Sequence, residues 1–365
     1  MTNNTSSLLT KCQNAELLAQ STIYKVVVAA KGSVNIVAFV LFVFLGMSKA
    51  QLRISHPNTK VISLAVCILE FLVALDQSCF YMYEMWRISF PYTDNCDRLW
   101  SPYNLFVLRC FSLSCLNGIN SSLIVLCIER VVCICRISNY EQSSKPVLVA
   151  AGLAAITLVF SVVTTFLYLP GVEWSEGLVM TSVLNEKNAG TYQATLYYLS
   201  TIEVLALFFF VVLHHWSLWY RKRIRGFKSL KQRIHPSHIQ TIQPLSVKFQ
   251  IEETIRTTSL FLPIVLVKCS CSALSYAAAL VSSSIWPTLP IDNQMIIFEV
   301  VYINDTLPFF TVLLLMYGIG QMFCCSKKHQ TCEITILHSS QKQEDYFIRL
   351  KQMFEAGADI NATRK

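Results

Sequence analysis

The sequence predicts an all-α membrane protein: a bundle of seven transmembrane helices with its amino terminus outside the cell and its carboxyl terminus in the cytosol. Three observations predict this fold, namely the composition, seven long apolar runs and a one-sided distribution of Lys and Arg. The chain of 365 residues is 53% hydrophobic and 14% charged, with a mean hydropathy of +0.47. Soluble domains carry about 25% charged residues, so this chain lacks the polar surface that a soluble protein of its length needs.

Seven apolar runs are long enough to cross a bilayer, which takes roughly 20 residues of helix. Barrel strands would be only about 10 residues long and would alternate in polarity. A helix also satisfies every backbone polar group internally, as lipid demands. The runs lie at Val26–Met47, Val61–Tyr83, Tyr103–Ile128, Pro146–Leu169, Ala194–Trp219, Ser259–Ile285 and Ile296–Ile319. They define a transmembrane domain over 26–319, preceded by a polar segment (1–25) and followed by a tail (320–365) with a short amphipathic helix.

Lys and Arg are concentrated on one side of this predicted bundle. Twenty-two of the 30 lie in the loops after spans one, three and five or in the tail, and five lie on the other side. Because cytoplasmic loops carry the excess of basic residues, the amino terminus is expected outside. No apolar stretch precedes Val26, so a cleaved signal peptide is not expected. The overlapping sequons at Asn3 and Asn4 are then glycosylation candidates.

Span three changes abruptly from apolar to ionic at Glu129-Arg130, where the helix leaves the lipid on the cytosolic side. Two interpretations stand: an interfacial anchor, or a charge pair that reaches a neighbouring helix or a partner protein. The next cytosolic loop begins with the basic run 221–225, which attracts anionic lipid. Residues 247–255 of that loop are predicted to form the foot of span six rather than a free linker.

Ionisable side chains inside spans are costly and therefore point to function. Asp76 in span two and Arg109 in span three lie at similar depth, and the sequence predicts that they pair, for either structure or function. Lys268 in span six has two predicted partners in span seven, Asp305 and Glu299. Lys31, near the end of span one, is expected to snorkel to the membrane interface. Glu203 in span five is expected to lack a basic partner.

The outer halves of spans three, five, six and seven are expected to enclose a concave ligand pocket. Polar and aromatic side chains at that depth are candidates for its lining, with helix packing as the alternative role for each. The candidates are Leu113, Asn117, Tyr197, Tyr198, Glu203, Tyr276, Glu299 and Tyr302.

The fourteen cysteines predict no metal site, because their spacing matches no zinc motif. Cys12 and Cys96 are expected outside the cell, and the partner of Cys96 stays open. Cys324 and Cys325, just inside the membrane, are either palmitoylation candidates or inert thiols. No catalytic constellation and no cofactor motif is predicted.

Several segments resemble those of a known receptor class. Seven spans, an outside amino terminus and Glu129-Arg130 at the end of span three resemble a G-protein-coupled receptor. Within that class the chain resembles the nematode serpentine chemoreceptors and, among these, the Sre family. Glu253 departs from that pattern, since Asn is common there in the family. The matching segments are 128–130, Tyr140-Glu141, 245–253 and 344–350.

This resemblance implies binding of an external small-molecule cue, activation of a heterotrimeric G protein through spans three, five and six, and residence in the plasma membrane, in sensory cilia. Arg130 would reach toward the G protein, Glu129 would hold it in the inactive state, and Tyr140 would belong to the same face. Lipid is the other expected partner, and nucleic acid is not expected. Rhodopsin-like receptors usually tie span three to the second outer loop by a disulfide, which is impossible here because 172–193 contains no Cys.

Two other classes of membrane protein serve as alternatives. A transporter or channel of this topology favours internal repeats and broken helices at matching places, and the sequence shows neither. A membrane enzyme needs a motif such as HExxH or GxSxG, and His214-His215 are adjacent and face different directions. The receptor interpretation therefore takes precedence.

Overall fold

The computed structural model describes residues 2–47, 57–135, 146–168, 172, 174, 177–179, 189–234, 245–285, 293, 296–297, 299–300 and 303–318. These residues are helical apart from short connections and one isolated backbone bridge. The helices are α1 (Thr2–Gln20), α2 (Thr22–Met47), α3 (Pro57–Ser89), α4 (Pro102–Cys135), α5 (Pro146–Tyr168), α6 (Ala189–Ile234), α7 (Leu245–Ile285) and α8 (Leu307–Gly318), with 3₁₀ helices at Asn95–Arg98 and Ile303–Thr306.

Helices α2 to α8 occupy the positions of the seven predicted spans. Within the described chain, α2, α3, α4, α6 and α7 are each long and apolar enough to cross a membrane, and α5 and α8 contain shorter apolar stretches. The all-helical bundle is therefore confirmed. α6 and α7 extend well beyond their apolar runs, so the segment 247–255 is helical.

Proline determines where three of these helices begin. Pro57, Pro102 and Pro146 each occupy the first position of a helix. Proline suits that position because its missing N–H has no intrahelical partner to lose and its φ angle is already helical. Pro263, by contrast, lies inside α7, where it removes one hydrogen bond and favours a bend.

Helix α4 is at the centre of the packing, since it contacts α3, α5, α6 and α7. Gly118 lies where α3 and α5 approach α4 closely. A Cβ atom on Gly118 would lie 2.8 Å from Cδ1 of Leu69 on α3 and 3.0 Å from Cγ2 of Thr157 on α5. Three helices therefore converge where α4 has no side chain.

The amino-terminal segment forms a helix, α1, which is tied to the connection between α3 and α4. A disulfide joins Cys12 to Cys96 and so identifies the partner that the sequence left open. Nearby, Asn95 Nδ2 donates to Glu16 Oε2 at 2.8 Å. Apolar side chains of α1, α2, α3 and α4 form one buried core beneath this link. We call this part of the bundle the disulfide end.

The loop before α6 is joined to the start of α4 by backbone hydrogen bonds, in the absence of the disulfide that rhodopsin-like receptors have there. Trp100 and Leu178 exchange two such bonds, at 2.9 and 3.0 Å, and Trp174 packs edge-on against Phe106. Gly177 is needed beside this bridge, because a Cβ atom would lie 2.6 Å from Cβ of Leu99.

Candidate functional site

Arg130 on α4 is fully buried at the end of the bundle away from the disulfide. Its Nε and Nη2 atoms donate to the two carboxylate oxygens of Glu129 at 2.5 and 2.7 Å. Nη2 also donates to the hydroxyl of Thr59 on α3. Nη1 lies 3.6 Å from Oε1 of Glu253 on α7. One guanidinium therefore links three helices.

The contacts of the Arg130 guanidinium differ in length and therefore in strength. Both bonds to Glu129 are short and charge-assisted, which is the strong geometry for arginine and a carboxylate. Nη1, in contrast, has no hydrogen-bond partner among the described residues, and its 3.6 Å contact with Glu253 is an ion pair only. The link to α7 is consequently the one most easily broken.

Sequence reasoning identified Glu129 and Arg130 but missed the residues that hold the arginine from other helices. Thr59 precedes the predicted start of span two, and Glu253 precedes the predicted start of span six. Thr59 therefore fell in a segment treated as a loop, and Glu253, in the predicted foot of span six, was considered only as a departure from the family pattern. Their signal lay in the helical foot at 247–255 and in Pro57, which starts α3 two residues before Thr59.

A second buried polar cluster joins α4, α6 and α7. Lys268 Nζ donates to Asn120 Oδ1 at 2.6 Å and lies 3.8 Å from Oε1 of Glu203. The predicted pairing of Lys268 with Asp305 or Glu299 is therefore wrong, and so is the expectation that Glu203 lacks a basic partner. The rotation of α6 and α7 about their axes brings these side chains together, and sequence depth alone does not reveal that rotation.

Asp305 and Glu299 instead lie against Lys31 of α2. Lys31 Nζ is 3.0 Å from Glu299 Oε2 and 3.4 Å from Asp305 Oδ2. The hydroxyl of Tyr81 on α3 donates to Asp305 Oδ2 at 2.6 Å. Lys31 is buried rather than snorkelling, because two carboxylates and a phenol replace the water that its ammonium would otherwise need.

Asp76 and Arg109 each contact other side chains in the structure. The Ser112 hydroxyl donates to Asp76 Oδ2, and the Arg109 guanidinium lies 4.2 Å from the centroid of the Phe80 ring. Such cation–π contacts stabilise a desolvated guanidinium. A direct pairing of Asp76 with Arg109 stays a prediction.

The disulfide end contains an ion pair that the sequence did not predict. Glu84 accepts hydrogen bonds from Arg87 at 2.7 and 2.6 Å, from the Tyr24 hydroxyl at 2.7 Å and from Trp100 Nε1 at 2.9 Å. Arg87 also donates to the backbone carbonyl of Arg98. Because the donors come from α2, from α3 and from Trp100 just before α4, this ion pair connects these three parts of the chain.

The predicted pocket residues divide into buried and exposed groups. Asn117, Glu203 and Glu299 are buried inside the bundle, whereas Tyr197 is 52% and Tyr198 is 40% exposed on α6. At about 100° per residue, these tyrosines point about 120° and about 140° away from Glu203. Neither tyrosine therefore lies on the buried face of α6 that carries Glu203, and their place in a ligand pocket stays a prediction.

The side chains of several other predicted residues lie outside the described part of the structure. Tyr276 lies in α7, and Asn3 and Asn4 lie in α1, but their side chains are not described. The remaining ones, outside the described residues altogether, are Tyr140, Tyr302, Cys324 and Cys325.

The apolar helices are long enough to span a bilayer, and charged side chains inside them are buried. These two features identify a multi-pass membrane protein. The chain belongs to the family of serpentine type 7TM GPCR receptor class ab chemoreceptors, whose family model matches residues 9–355. The match confirms the serpentine chemoreceptor resemblance and does not confirm the narrower Sre assignment. The family is one of chemoreceptors rather than enzymes. No curated protein matches the chain.

Proposed function

We propose that this chemoreceptor binds an external small-molecule cue between α4, α6, α7 and α8, and activates a heterotrimeric G protein at the Arg130 end. The observation that carries the proposal is the burial of Arg130 among Glu129, Thr59 and Glu253. That cluster joins three helices through one charged side chain, and its weakest contact is to α7. Movement of α7 would release the guanidinium toward a partner protein.

Two independent features support an orientation with α1 outside and the Arg130 end in the cytosol. Disulfides persist in oxidising compartments, and the Cys12–Cys96 bond lies at the α1 end. The loops at the other end hold most of the Lys and Arg, as cytoplasmic loops do. Arg130 lies 28 residues along α4 from Pro102, which is roughly 40 Å of helix.

The arrangement of α7 provides a route between the two ends. Lys268 contacts Asn120 of α4, and Glu253 contacts Arg130 of the same helix. Pro263 lies between these contacts, so α7 can bend there while one contact stays closed. A cue acts on this two-state element only through its different affinity for the two states, and the coupling to the G protein is reciprocal.

The finer parts of the proposal follow the same orientation. Asn117, Glu203 and Glu299, with Tyr276 and Tyr302, line the cue pocket. Tyr140 belongs to the cytosolic coupling face. Cys324 and Cys325 carry palmitoyl groups, and Asn3 and Asn4 carry glycans. The receptor resides in the plasma membrane of sensory cilia.

The test is Arg130→Ala in cells that report G-protein activation, screened with a small-molecule library, with surface receptor measured through an amino-terminal epitope. We expect the variant to reach the surface within about twofold of wild type and to lose cue-evoked signalling, because the guanidinium contacts the partner. Arg130→Lys is the matched variant. It keeps the charge but not the planar fork, so it should signal weakly. Wild-type signalling by Arg130→Ala would refute the assigned role.

A further inference from the structure

The predicted spans contain more acidic than basic side chains. Five carboxylates and three basic groups lie within them, which leaves a formal surplus of two negative charges. An unneutralised charge is costly at that depth. A surplus of negative charge favours either protonation of a carboxylate or the entry of a cation into the bundle. The acids are Glu70, Asp76, Glu203, Glu299 and Asp305, and the bases are Lys31, Arg109 and Lys268.

Four of the five carboxylates have close partners of their own. Two of them, Glu299 and Asp305, share Lys31 and the Tyr81 hydroxyl. The other two accept from hydroxyl groups, Asp76 from Ser112 and Glu70 from Thr311.

Glu203 is different, as far as the described chain shows. It is only 8% exposed, yet its Oε2 atom has no hydrogen-bond partner. Its one ion pair, to Lys268, is 3.8 Å long, against about 2.7–2.9 Å for a charge-assisted hydrogen bond. Lys268 gives its short hydrogen bond to Asn120 instead. Glu203 therefore keeps unused acceptor capacity at Oε2, and within the described chain its charge is balanced only by the long contact to Lys268.

We propose that Glu203 Oε2 binds the ammonium group of the cue, and that the cue is a small protonated amine. This inference rests on the proposed receptor function and specifies the ligand class of its pocket. An ammonium supplies the missing donor and removes one surplus negative charge, whereas an alcohol supplies the donor alone and a carboxylate adds to the surplus. Lys268 lies against the other oxygen, Oε1, so it leaves Oε2 to the ligand.

A second buried polar group without a partner among the described residues lies on the face of α7 that carries Lys268. Ser272 and Ser275 follow Lys268 at four and seven residues along α7, so all three share one face, and all three are buried. The hydroxyl of Ser275 has no hydrogen-bond partner among the described residues, so it offers unused bonding capacity to a hydroxyl substituent of the amine.

The experiment uses the full-length receptor and three matched series: primary amines from butylamine to 2-phenylethylamine, the corresponding alcohols and the corresponding carboxylates. Binding is measured as the shift in thermal unfolding temperature of the purified receptor, and signalling in G-protein reporter cells. We expect at least one amine to bind and its alcohol and carboxylate to be at least tenfold weaker. Glu203→Gln should raise the half-maximal amine concentration at least tenfold. Glu16→Gln, a matched loss of charge on α1, should leave it within twofold.

The outcomes separate this inference from the proposed function. Amine binding without G-protein activation leaves the ligand class standing and counts against the coupling. Activation by alcohols or carboxylates alone, no amine binding, or an unchanged amine response in Glu203→Gln overturns the ligand class. Should Glu203→Gln fail to reach the surface, Glu203→Asp keeps the charge on a shorter side chain. That variant must then retain the preference for amines.

Discussion

Arg130 shows how a charged side chain is accommodated in the protein interior at the end of a long apolar helix. Burying an ion requires partners that replace its hydration, and Glu129 does this with two short hydrogen bonds. Thr59 supplies a third acceptor. Glu253 adds a second negative charge at 3.6 Å. Because Glu129 alone neutralises the arginine, the Glu253 contact serves to attach α7 rather than to balance charge.

The first prediction at this scale concerns that attachment. Glu253→Gln should raise cue-independent G-protein signalling at least about fivefold, which corresponds to a coupling of about 1 kcal/mol. The cause is the loss of the ionic contact that holds α7 against Arg130 in the inactive state. Reporter activity per surface receptor measures the change.

Glu252→Gln is the matched control for this prediction. Glu252 is the neighbouring residue, with a side chain 40% exposed beside Arg221 at 3.5 Å, and exposed pairs of this kind contribute little. Equal basal signalling in the two variants would show that the Glu253 contact does not restrain the receptor.

Single residues also show the limit of reasoning from depth in the membrane. Depth alone predicted that Lys268 pairs with Asp305 or Glu299, since Lys268 lies near mid-membrane, Asp305 at a comparable depth and Glu299 nearer the outside. The structure pairs Lys268 with Glu203 instead. Depth specifies position along a helix axis, but pairing also depends on which way each helix is turned.

At the scale of the elements, close approach of helices depends on small side chains. α3, α4 and α5 meet at Gly118, where a Cβ atom would lie 2.8 Å from Leu69 and 3.0 Å from Thr157. Small residues of this kind allow membrane helices to gain van der Waals contact, because lipid supplies no hydrophobic drive between them. Pro57, Pro102 and Pro146 complement this by starting α3, α4 and α5 at defined residues.

A matched pair of glycines tests this packing. Gly118→Ala should lower the unfolding temperature, because overpacking a filled interface costs about 1–3 kcal/mol. Gly152→Ala on α5 should leave it unchanged or raise it slightly, since a Cβ there meets nothing within 4 Å and alanine favours helix by roughly 0.5–1 kcal/mol. Thermal unfolding of the purified variants measures both. Similar effects of the two substitutions would mean that Gly118 does not govern the approach of α3 and α5.

At the scale of the whole molecule, two ends of different chemistry are separated by a middle that contains the buried Lys31 and Lys268 clusters. One end holds the Cys12–Cys96 disulfide and the Glu84 network, whose donors lie within α2, α3 and the start of α4. The other end holds the Arg130 cluster and borders the basic loops. A covalently closed end, opposite an end whose contact to α7 is long, suits the proposed receptor, in which the Arg130 end moves.

Membrane orientation is the prediction at this scale. An epitope at Met1 should be stained on intact cells, and one at Lys365 only after permeabilisation, because basic loops stay in the cytosol. A cell-impermeant thiol reagent should label Cys12 only after reduction, because the residue is in a disulfide. Staining of the Lys365 epitope on intact cells would reverse the orientation and remove the basis for an external cue.

The sequence by itself determined the number, order and approximate position of the apolar spans, because hydrocarbon imposes long apolar stretches and internal backbone hydrogen bonds on any spanning segment. It also identified Glu129 and Arg130, since a charged pair at the end of an apolar run is visible without a fold. Only the tertiary structure decided that Thr59 and Glu253 hold Arg130, that Lys31 pairs with Glu299 and Asp305, and that Tyr197 and Tyr198 point away from Glu203. Those contacts depend on the rotation and neighbours of each helix, which arise from the packing of many side chains at once.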